Sequence, residues 1–205
     1  MPAKQPIAPA LHPATQALDR DARIVAAFER MGELLRNMAW DAGTALGLSP
    51  LHVQLLTHLH GHPPLLAVDL ARHFHLTKAT VSVALRTLAR RRLLEQTPSE
   101  RDGRVRVIRL TNDGRKAALL AAMHLDRLLP ILKAMDATQR NDLYAALYRL
   151  LDEARTAGLI QMERMCTTCA HYGSRTGKPY CLLMRARLTP ETHRVDCPEH
   201  EERRA

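Results

Sequence analysis

Four cysteines near the carboxyl end are the residues of this chain best suited to chemistry. None occurs in the first 165 residues, and then Cys166, Cys169, Cys181 and Cys197 follow within 32 positions. The first two form a C-x-x-C pair, in which two thiolates can bind one centre, and the other two must return to it across a small, loop-rich module. Four thiolates suit a tetrahedral zinc ion or an iron–sulfur cluster. The spacing therefore predicts a metal or cluster site at these four residues.

The details of this segment favour a cluster over zinc. Zinc ribbons usually bring two C-x-x-C pairs, and this segment has one. Pro198 follows the last cysteine, as in some ferredoxin motifs. The run CTTCAHYG, GKPYCLLM and DC is similar to the arrangement in high-potential iron–sulfur proteins. We expect an iron–sulfur cluster, for example of the 4Fe-4S type, with structural zinc as the second alternative and free or redox-switching thiols as the third.

Positive charge is concentrated in a segment before this module. Residues 71–116 hold twelve Lys or Arg and four Asp or Glu, a balance of +8, whereas the whole chain carries +9. Such concentration is typical of a surface that binds nucleic-acid phosphates. Aromatic residues make up only 3% of the chain and are scattered, which disfavours a stacking platform for single strands. Double-stranded DNA is therefore the predicted partner.

A short helix and two strands are predicted to position this charge. Thr77 is a typical helix cap, and three apolar residues share one face of the helix that follows it: Val81, Leu85 and Leu88. The other side is mostly polar and free of acids, as a helix in the major groove requires. Residues 93–96 and 104–110 are predicted strands on either side of a turn-forming segment, so that a basic flap follows the helix.

Longer helices are predicted on both sides of this segment. Their expected ranges are 15–47, 50–59, 65–74, 111–135 with a kink at Pro130, and 136–158. The first has an apolar seam at spacings of three and four: Ile24, Phe28, Met31, Leu35 and Met38. Four methionines of the helical segments are expected in the core: Met31, Met38, Met123 and Met135.

From about residue 24 to residue 159 the chain resembles the MarR family of winged-helix transcriptional regulators. The most specific part is the flap, or wing, where Asp102-Gly103-Arg104 is followed by Thr111 and Gly114, similar to the family's D-x-R…LT…G pattern. The resemblance implies a mainly α fold with a small β-wing (α+β), a winged helix-turn-helix with long dimerisation helices.

The resemblance also implies a DNA-binding regulator, expected to be a repressor, that acts as a homodimer on a near-palindromic site. The residues expected to contact DNA are Thr77, Lys78, Thr80, Ser82, Val83, Arg86, Arg101, Asp102 and Arg104. Arg104 matches the wing arginine that approaches the minor groove, and Asp102 matches the acid that holds it in place. Arg92 stands where many relatives carry the glycine that ends the recognition helix. The sequence leaves open whether Arg92 adopts the left-handed conformation or ends the helix in another way.

Several effectors remain open at this point. A labile cluster would make the protein a redox or iron sensor, structural zinc would leave the signal to a small-molecule effector, and thiol oxidation alone is the third alternative. A non-regulatory, architectural DNA-binding protein is the competing class. No G-x-S-x-G, Walker loop, dinucleotide fingerprint or H-E-x-x-H occurs, so no enzyme is predicted.

Three parts of the chain are predicted. Residues 1–14 are expected to be a disordered, proline-containing leader, 15–158 the winged-helix and dimerisation domain, and 159–205 the cysteine-rich module. No secretory signal or apolar run long enough for a membrane span is present, so we expect no membrane partner and a cytoplasmic protein. His58, His60 and His62 are expected to be surface or packing residues rather than a second metal site.

Overall fold

The computed structural model describes residues 10–62, 64–98, 106–160 and 164–203. Its helices are α1 (Pro13–Leu18), α2 (Arg20–Leu46), α3 (Pro50–Gly61), α4 (Ala67–His73), α5 (Lys78–Arg90), α6 (Asn112–Asp126), α7 (Leu129–Lys133), α8 (Ala137–Thr156) and a short 3-10 helix (Cys166–Thr168). Its strands are β1 (Leu65–Leu66), β2 (Leu94–Pro98), β3 (Arg106–Leu110), β4 (Tyr172–Arg175), β5 (Lys178–Cys181) and β6 (Ala186–Arg187). The predicted class, mainly helical with a small β-wing, is confirmed.

The core of the winged-helix domain lies between α3, α4, α5, α6 and the first sheet. Its largest fully buried side chains are Leu55, Leu56, Leu70, Val81, Leu85, Leu88 and Ile108. The sheet is antiparallel in the order β1-β3-β2, and the register pairs Leu65 with Ile108 and Leu94 with Leu110. This core fixes α5 and the wing strands against the same scaffold, which is what a two-part DNA-binding surface needs.

Local capping signals explain most helix starts. Ser49, Thr77, Thr111 and Asp136 each accept a backbone N–H from the first turn of the helix that follows. Asp19 does the same for α2, and this cap separates α1 from α2 within the single helix predicted over 15–47. The predicted single helix was therefore wrong at its beginning.

Two other predicted helices differ from the structure. The expected helix over 65–74 begins with the strand β1, because its first two residues pair with β3, and only then continues as α4. The expected long helix over 111–135 ends at Asp126, and Pro130 lies in the first turn of the separate helix α7 instead of kinking a continuous one.

The methionine prediction was only partly right. Met38 is buried at 5% exposure, but Met31 and Met123 are 49% and 62% exposed. Periodic spacing identified an apolar helix face correctly, but the described residues of this chain do not cover that face. Among the residues that the structure describes, none of the helices is both long and apolar enough to cross a membrane.

Residues 164–203, here called the cysteine module, are built around a second antiparallel sheet. Its order is β4-β5-β6, with Tyr172 opposite Cys181 and Tyr180 opposite Arg187. Met165 and Leu188 of this segment are buried. The module therefore has a small apolar core of its own, next to the cysteines.

Candidate DNA interface and cysteine site

The recognition helix α5 is held by its apolar face. Val81, Leu85 and Leu88 are almost completely buried, as the sequence predicted, and they pack into the common core. Fully burying a side chain of this size stabilises a fold by about 1.5–3 kcal/mol. The opposite face of α5 is consequently fixed towards solvent.

The exposed face of α5 carries the predicted DNA-binding residues. Lys78, Thr80 and Arg86 are exposed, Ser82 is half-buried, and Val83 is 55% exposed. The helix contains no acidic residue. Positive side chains beside small polar and apolar ones suit the phosphates, acceptors and thymine methyl groups of the major groove.

Thr77 and Thr80, two residues predicted to contact DNA, also form the cap at the start of α5. The Thr77 hydroxyl accepts the Thr80 backbone N–H at 3.1 Å, and the two hydroxyls are 2.8 Å apart. Both side chains are exposed, so they can face a ligand while they cap the helix.

The end of α5 resolves the question that the sequence left open at Arg92. This residue adopts the left-handed conformation with φ of 58°, although it is not glycine. Its N–H bonds to the Ala89 carbonyl at 2.9 Å, and the Leu93 N–H bonds to the Leu88 carbonyl at 3.0 Å. This is the Schellman arrangement, in which the left-handed residue lets the chain reverse into the first wing strand.

The wing strands and α6 meet at a tight junction. The Thr111 hydroxyl donates to the Arg92 carbonyl at 2.7 Å and accepts the Gly114 N–H at 3.0 Å. A Cβ on Gly114 would lie 1.8 Å from the Leu93 carbonyl oxygen. The threonine and glycine of the predicted pattern thus serve this junction and keep the wing fixed to α6.

Part of the predicted wing contact lies outside the described residues. This holds for Arg101, Asp102 and Arg104, whose roles stay predictions. Within the described strands, Arg106 and Arg109 are exposed and add positive charge, although neither was among the residues expected to contact DNA. Arg109 alternates with the buried Ile108 and Leu110, and this alternation could have identified it as exposed.

The four cysteines lie around one cavity. Cys166, Cys169, Cys181 and Cys197 all line it, together with mainly apolar neighbours: Tyr172, Leu183, Met184 and Leu188. The pairing of β4 with β5 brings the segment after the C-x-x-C pair opposite Cys181, and all four residues are free thiols. The predicted convergence of distant cysteines is present, although within the described ranges no three His, Cys, Asp or Glu side chains have the arrangement that a single metal ion needs.

Several N–H groups point at the sulfurs. The Arg194 backbone N–H donates to Cys166 Sγ at 3.2 Å, the Met184 N–H donates to Cys181 Sγ at 3.5 Å, and the Arg194 guanidinium lies 3.8 Å from Cys197 Sγ. Burial raises the pKa of the Cys166 thiol, and the three other cysteines raise it further, against the lowering effect of the Arg194 N–H. A cationic centre would reverse this effect and favour thiolates.

The cysteine module contacts α8 on one side. The Tyr144 hydroxyl donates to the His193 carbonyl at 2.6 Å, and the Thr167 hydroxyl donates to Asp152 at 2.9 Å. Tyr148 is buried with its ring 4.7 Å from the His193 ring, and burial raises the pKa of Tyr148 to about 12.

The module also contacts the end of α3. His62 Nε2 is 2.9 Å from the Asp196 carboxylate, and His58 stacks on both His62 and His73 at ring distances of 3.9 Å. His58 and His62 are packing residues, as predicted, and His60 is exposed. The partnership with Asp196 was missed, because residues 134 positions apart leave no local signal.

The comparisons with known proteins agree with this architecture. Residues 46–105 match the sequence model of the MarR family. Among solved structures, Staphylococcus aureus MepR in its DNA-binding conformation is similar, with 21% identity over 63% of this chain and 97% of that chain and a TM-score of 0.57. A MepR–DNA complex from the same organism is also similar, with 21% identity over 63% of this chain and 96% of that chain and a TM-score of 0.55. BldR, a transcriptional regulator of Sulfolobus solfataricus, has 19% identity over 66% of this chain and 99% of that chain and a TM-score of 0.52. No curated protein matches the chain in sequence.

The chain therefore contains a MarR-type winged helix-turn-helix, and the resemblance predicted from the wing and the recognition helix is confirmed. The likeness to these solved structures, at 19–21% identity, shows the fold of this part of the chain. The prediction that the protein is not an enzyme agrees with the family that residues 46–105 match.

Proposed function

We propose that the protein is a sequence-specific repressor of MarR type that binds double-stranded DNA. The observation that carries the proposal is the exposed face of α5, which combines Lys78, Val83 and Arg86 without an acidic residue. Such a face can contact phosphates, guanine acceptors and the thymine methyl group. MepR, a protein of similar fold, was solved in complex with DNA, which supports DNA as the partner.

A second copy of the chain is the partner that we propose for the flanking helices. Phe28 and Met31 of α2 are 42% and 49% exposed, and Ile131 of α7 is 65% exposed. Apolar surface of this kind marks protein–protein interfaces. A twofold dimer would place two α5 helices roughly one helical turn of DNA apart, which is why the proposed site is near-palindromic.

Footprinting on the promoter next to the gene, together with the salt dependence of affinity, tests the DNA proposal. We expect Arg86→Ala to weaken binding and to lower the slope of log K against log salt concentration by about 1, because fewer counterions are released. Arg140→Ala, on the exposed first turn of α8, is the matched control and should keep the wild-type slope. Binding without preference between sites would contradict a repressor and indicate an architectural protein.

For the cysteine module we propose an iron–sulfur cluster, with 4Fe-4S as the form to test first, that makes the regulator a redox or iron sensor. Four cysteines lining one largely apolar cavity supply the thiolates that such a group needs, and N–H donors to ligand sulfurs are among the features that set cluster potentials. Cys166, Cys169, Cys181 and Cys197 would hold it. When bound, a cluster supplies one-electron redox chemistry.

Cys181→Ser tests this assignment, with Ser174→Ala on the neighbouring strand β4 as the control. We expect the cysteine variant to lose iron and sulfide, and its DNA affinity to stop responding to air, while the control keeps both. Zinc in place of iron, with a loss of stability in Cys181→Ser, would contradict the sensor and make the site structural. The search would then move to a small-molecule effector.

A further inference from the structure

We propose that the cysteine module is a strut between α8 and the winged-helix domain, and that the contact of Asp196 with His62 transmits the loading state of the cysteine site to the recognition helix. This inference rests on the proposed function. It assigns a regulatory role to a contact that is separate from the contacts of the module with α8. We call the set of His62, Asp196 and Arg164 the latch.

The α8 side of the strut is firmly anchored. Tyr144 and Thr167 make the hydrogen bonds to His193 and Asp152 described above, and the buried Tyr148 ring packs on His193. These contacts fix the module to a helix of the proposed dimerisation part. Any movement of the module is therefore expected at its other contact.

The latch itself is a directed, mostly buried contact. The His62 side chain is only 4% exposed. Its Nδ1 lies 2.6 Å from the His58 carbonyl and its Nε2 lies 2.9 Å from Asp196. Both ring nitrogens of His62 therefore have an oxygen partner within hydrogen-bond distance. Its geometry depends on where the Asp196 backbone is held.

The Asp196 backbone lies directly beside the cysteine site, because its neighbour Cys197 lines the cysteine cavity. Asp196 directly precedes Cys197 in the chain, and Arg164 binds both residues: Nε donates to the Asp196 carboxylate at 3.0 Å and Nη2 donates to the Cys197 carbonyl at 2.6 Å. The Cys197 N–H returns a bond to the Arg164 carbonyl at 3.1 Å. A centre that binds Cys197 Sγ therefore fixes the residue that carries the latch carboxylate, and its loss frees that residue.

A continuous stack leads from the latch to the DNA-binding surface. His62 stacks on His58, and His58 stacks on His73, the last residue of α4. His58 also contacts the Phe74 ring edge at 5.4 Å. Residues 74–77 connect α4 to α5, so the stack ends at the turn of the helix-turn-helix. Opening of the latch would change the support of α4 and, through it, the setting of α5.

The test compares operator affinity of the anaerobically loaded and the metal-stripped full-length protein, with metal content measured in every sample. In the wild type we expect the two states to differ by about tenfold or more, within the usual range of allosteric coupling. In His62→Ala we expect the ratio to fall to about 1 while the metal content stays at the wild-type level. His60→Ala, two residues earlier and exposed, is the matched control and should keep the wild-type ratio.

Asp196→Asn provides a second test if His62→Ala does not fold, since it keeps the side-chain shape and removes the charge of a half-exposed residue. A wild-type ratio in the latch variants would overturn the strut. A wild-type protein whose affinity is the same in both states would also overturn it but leave the DNA-binding proposal intact. A failure of the iron–sulfur proposal is seen separately, since the wild type would then contain zinc without iron, or no metal, before any DNA is added.

Discussion

The junction between the wing and α6 offers the sharpest structural test, through Gly114→Ala. Gly114 is buried in the first turn of α6, and a Cβ there would lie 1.8 Å from the Leu93 oxygen and 2.8 Å from the Leu93 carbonyl carbon. Both are backbone atoms and cannot rotate away. Since real Cβ atoms essentially never approach other atoms closer than 3.0 Å, the two segments must separate by about 1.2 Å.

That separation also breaks the hydrogen bonds of the junction. The Thr111 N–H bonds to the Leu93 carbonyl at 3.2 Å, and the Thr111 hydroxyl donates to the Arg92 carbonyl at 2.7 Å. Two hydrogen bonds at about 1 kcal/mol each, with about 1–3 kcal/mol for overpacking, give a loss of about 3–5 kcal/mol in the free energy of unfolding.

Urea denaturation followed by helical circular dichroism measures this loss. Gly61→Ala is the matched control, because a Cβ on Gly61, the last residue of α3, meets no atom within 4 Å. We expect this control to keep the wild-type stability or to gain up to about 1 kcal/mol. A Gly114→Ala protein within about 1 kcal/mol of the wild type would refute the close approach of α6 to the wing.

Two further predictions concern the end of α5 and the histidine stack. Arg92→Gly should raise the free energy of unfolding by about 1 kcal/mol, because glycine removes the strain of the left-handed conformation. Arg86→Gly, within the helix itself, should lower the free energy of unfolding by about 1 kcal/mol. Equal urea midpoints for the two variants would count against the Schellman end of α5. Burial, with smaller contributions from His73 and His62, lowers the pKa of His58 from 6.5 to about 3. Between pH 6.5 and about pH 3, His58 is protonated in the unfolded chain but stays neutral in the folded protein, so the folded protein loses stability as the pH falls below 6.5. From pH 7 to pH 5 we expect His58 to lower the free energy of unfolding by roughly 1 kcal/mol, which is half of the full linkage value because the ring is partly open to solvent. The variant His58→Gln should remove this part of the pH dependence. An unchanged pH dependence in that variant would argue against a neutral, buried ring.

Much of the winged-helix domain could be predicted because its signals are local. Thr77 caps α5 through a residue three positions away, and the apolar spacing of Val81, Leu85 and Leu88 defines the buried face within one helix. The pattern of Thr111 and Gly114 was recognised as a motif. Its reason, the contact with the Leu93 carbonyl, became apparent only in three dimensions.

The features that escaped prediction depend on distant partners. Leu65 and Leu66 form a strand only because β3 lies beside them, some 40 residues later, and their apolar character suits a helix equally well. Met31 follows the spacing of a core residue, but periodicity cannot distinguish a core within one chain from an interface between two chains. The latch joins His62 to Asp196 across 134 positions, and the sequence around neither residue contains a pattern that predicts this contact.

The iron, acid-labile sulfide and zinc content per chain measures most directly whether the proposed MarR-type regulator holds a cluster at its four cysteines. The protein should be purified without oxygen or chelators, and Cys181→Ser should be measured beside it. We expect iron with matching sulfide in the wild type and neither in the variant. One zinc per chain without iron, or a wild type without any metal, would show that the four cysteines do not hold a cluster.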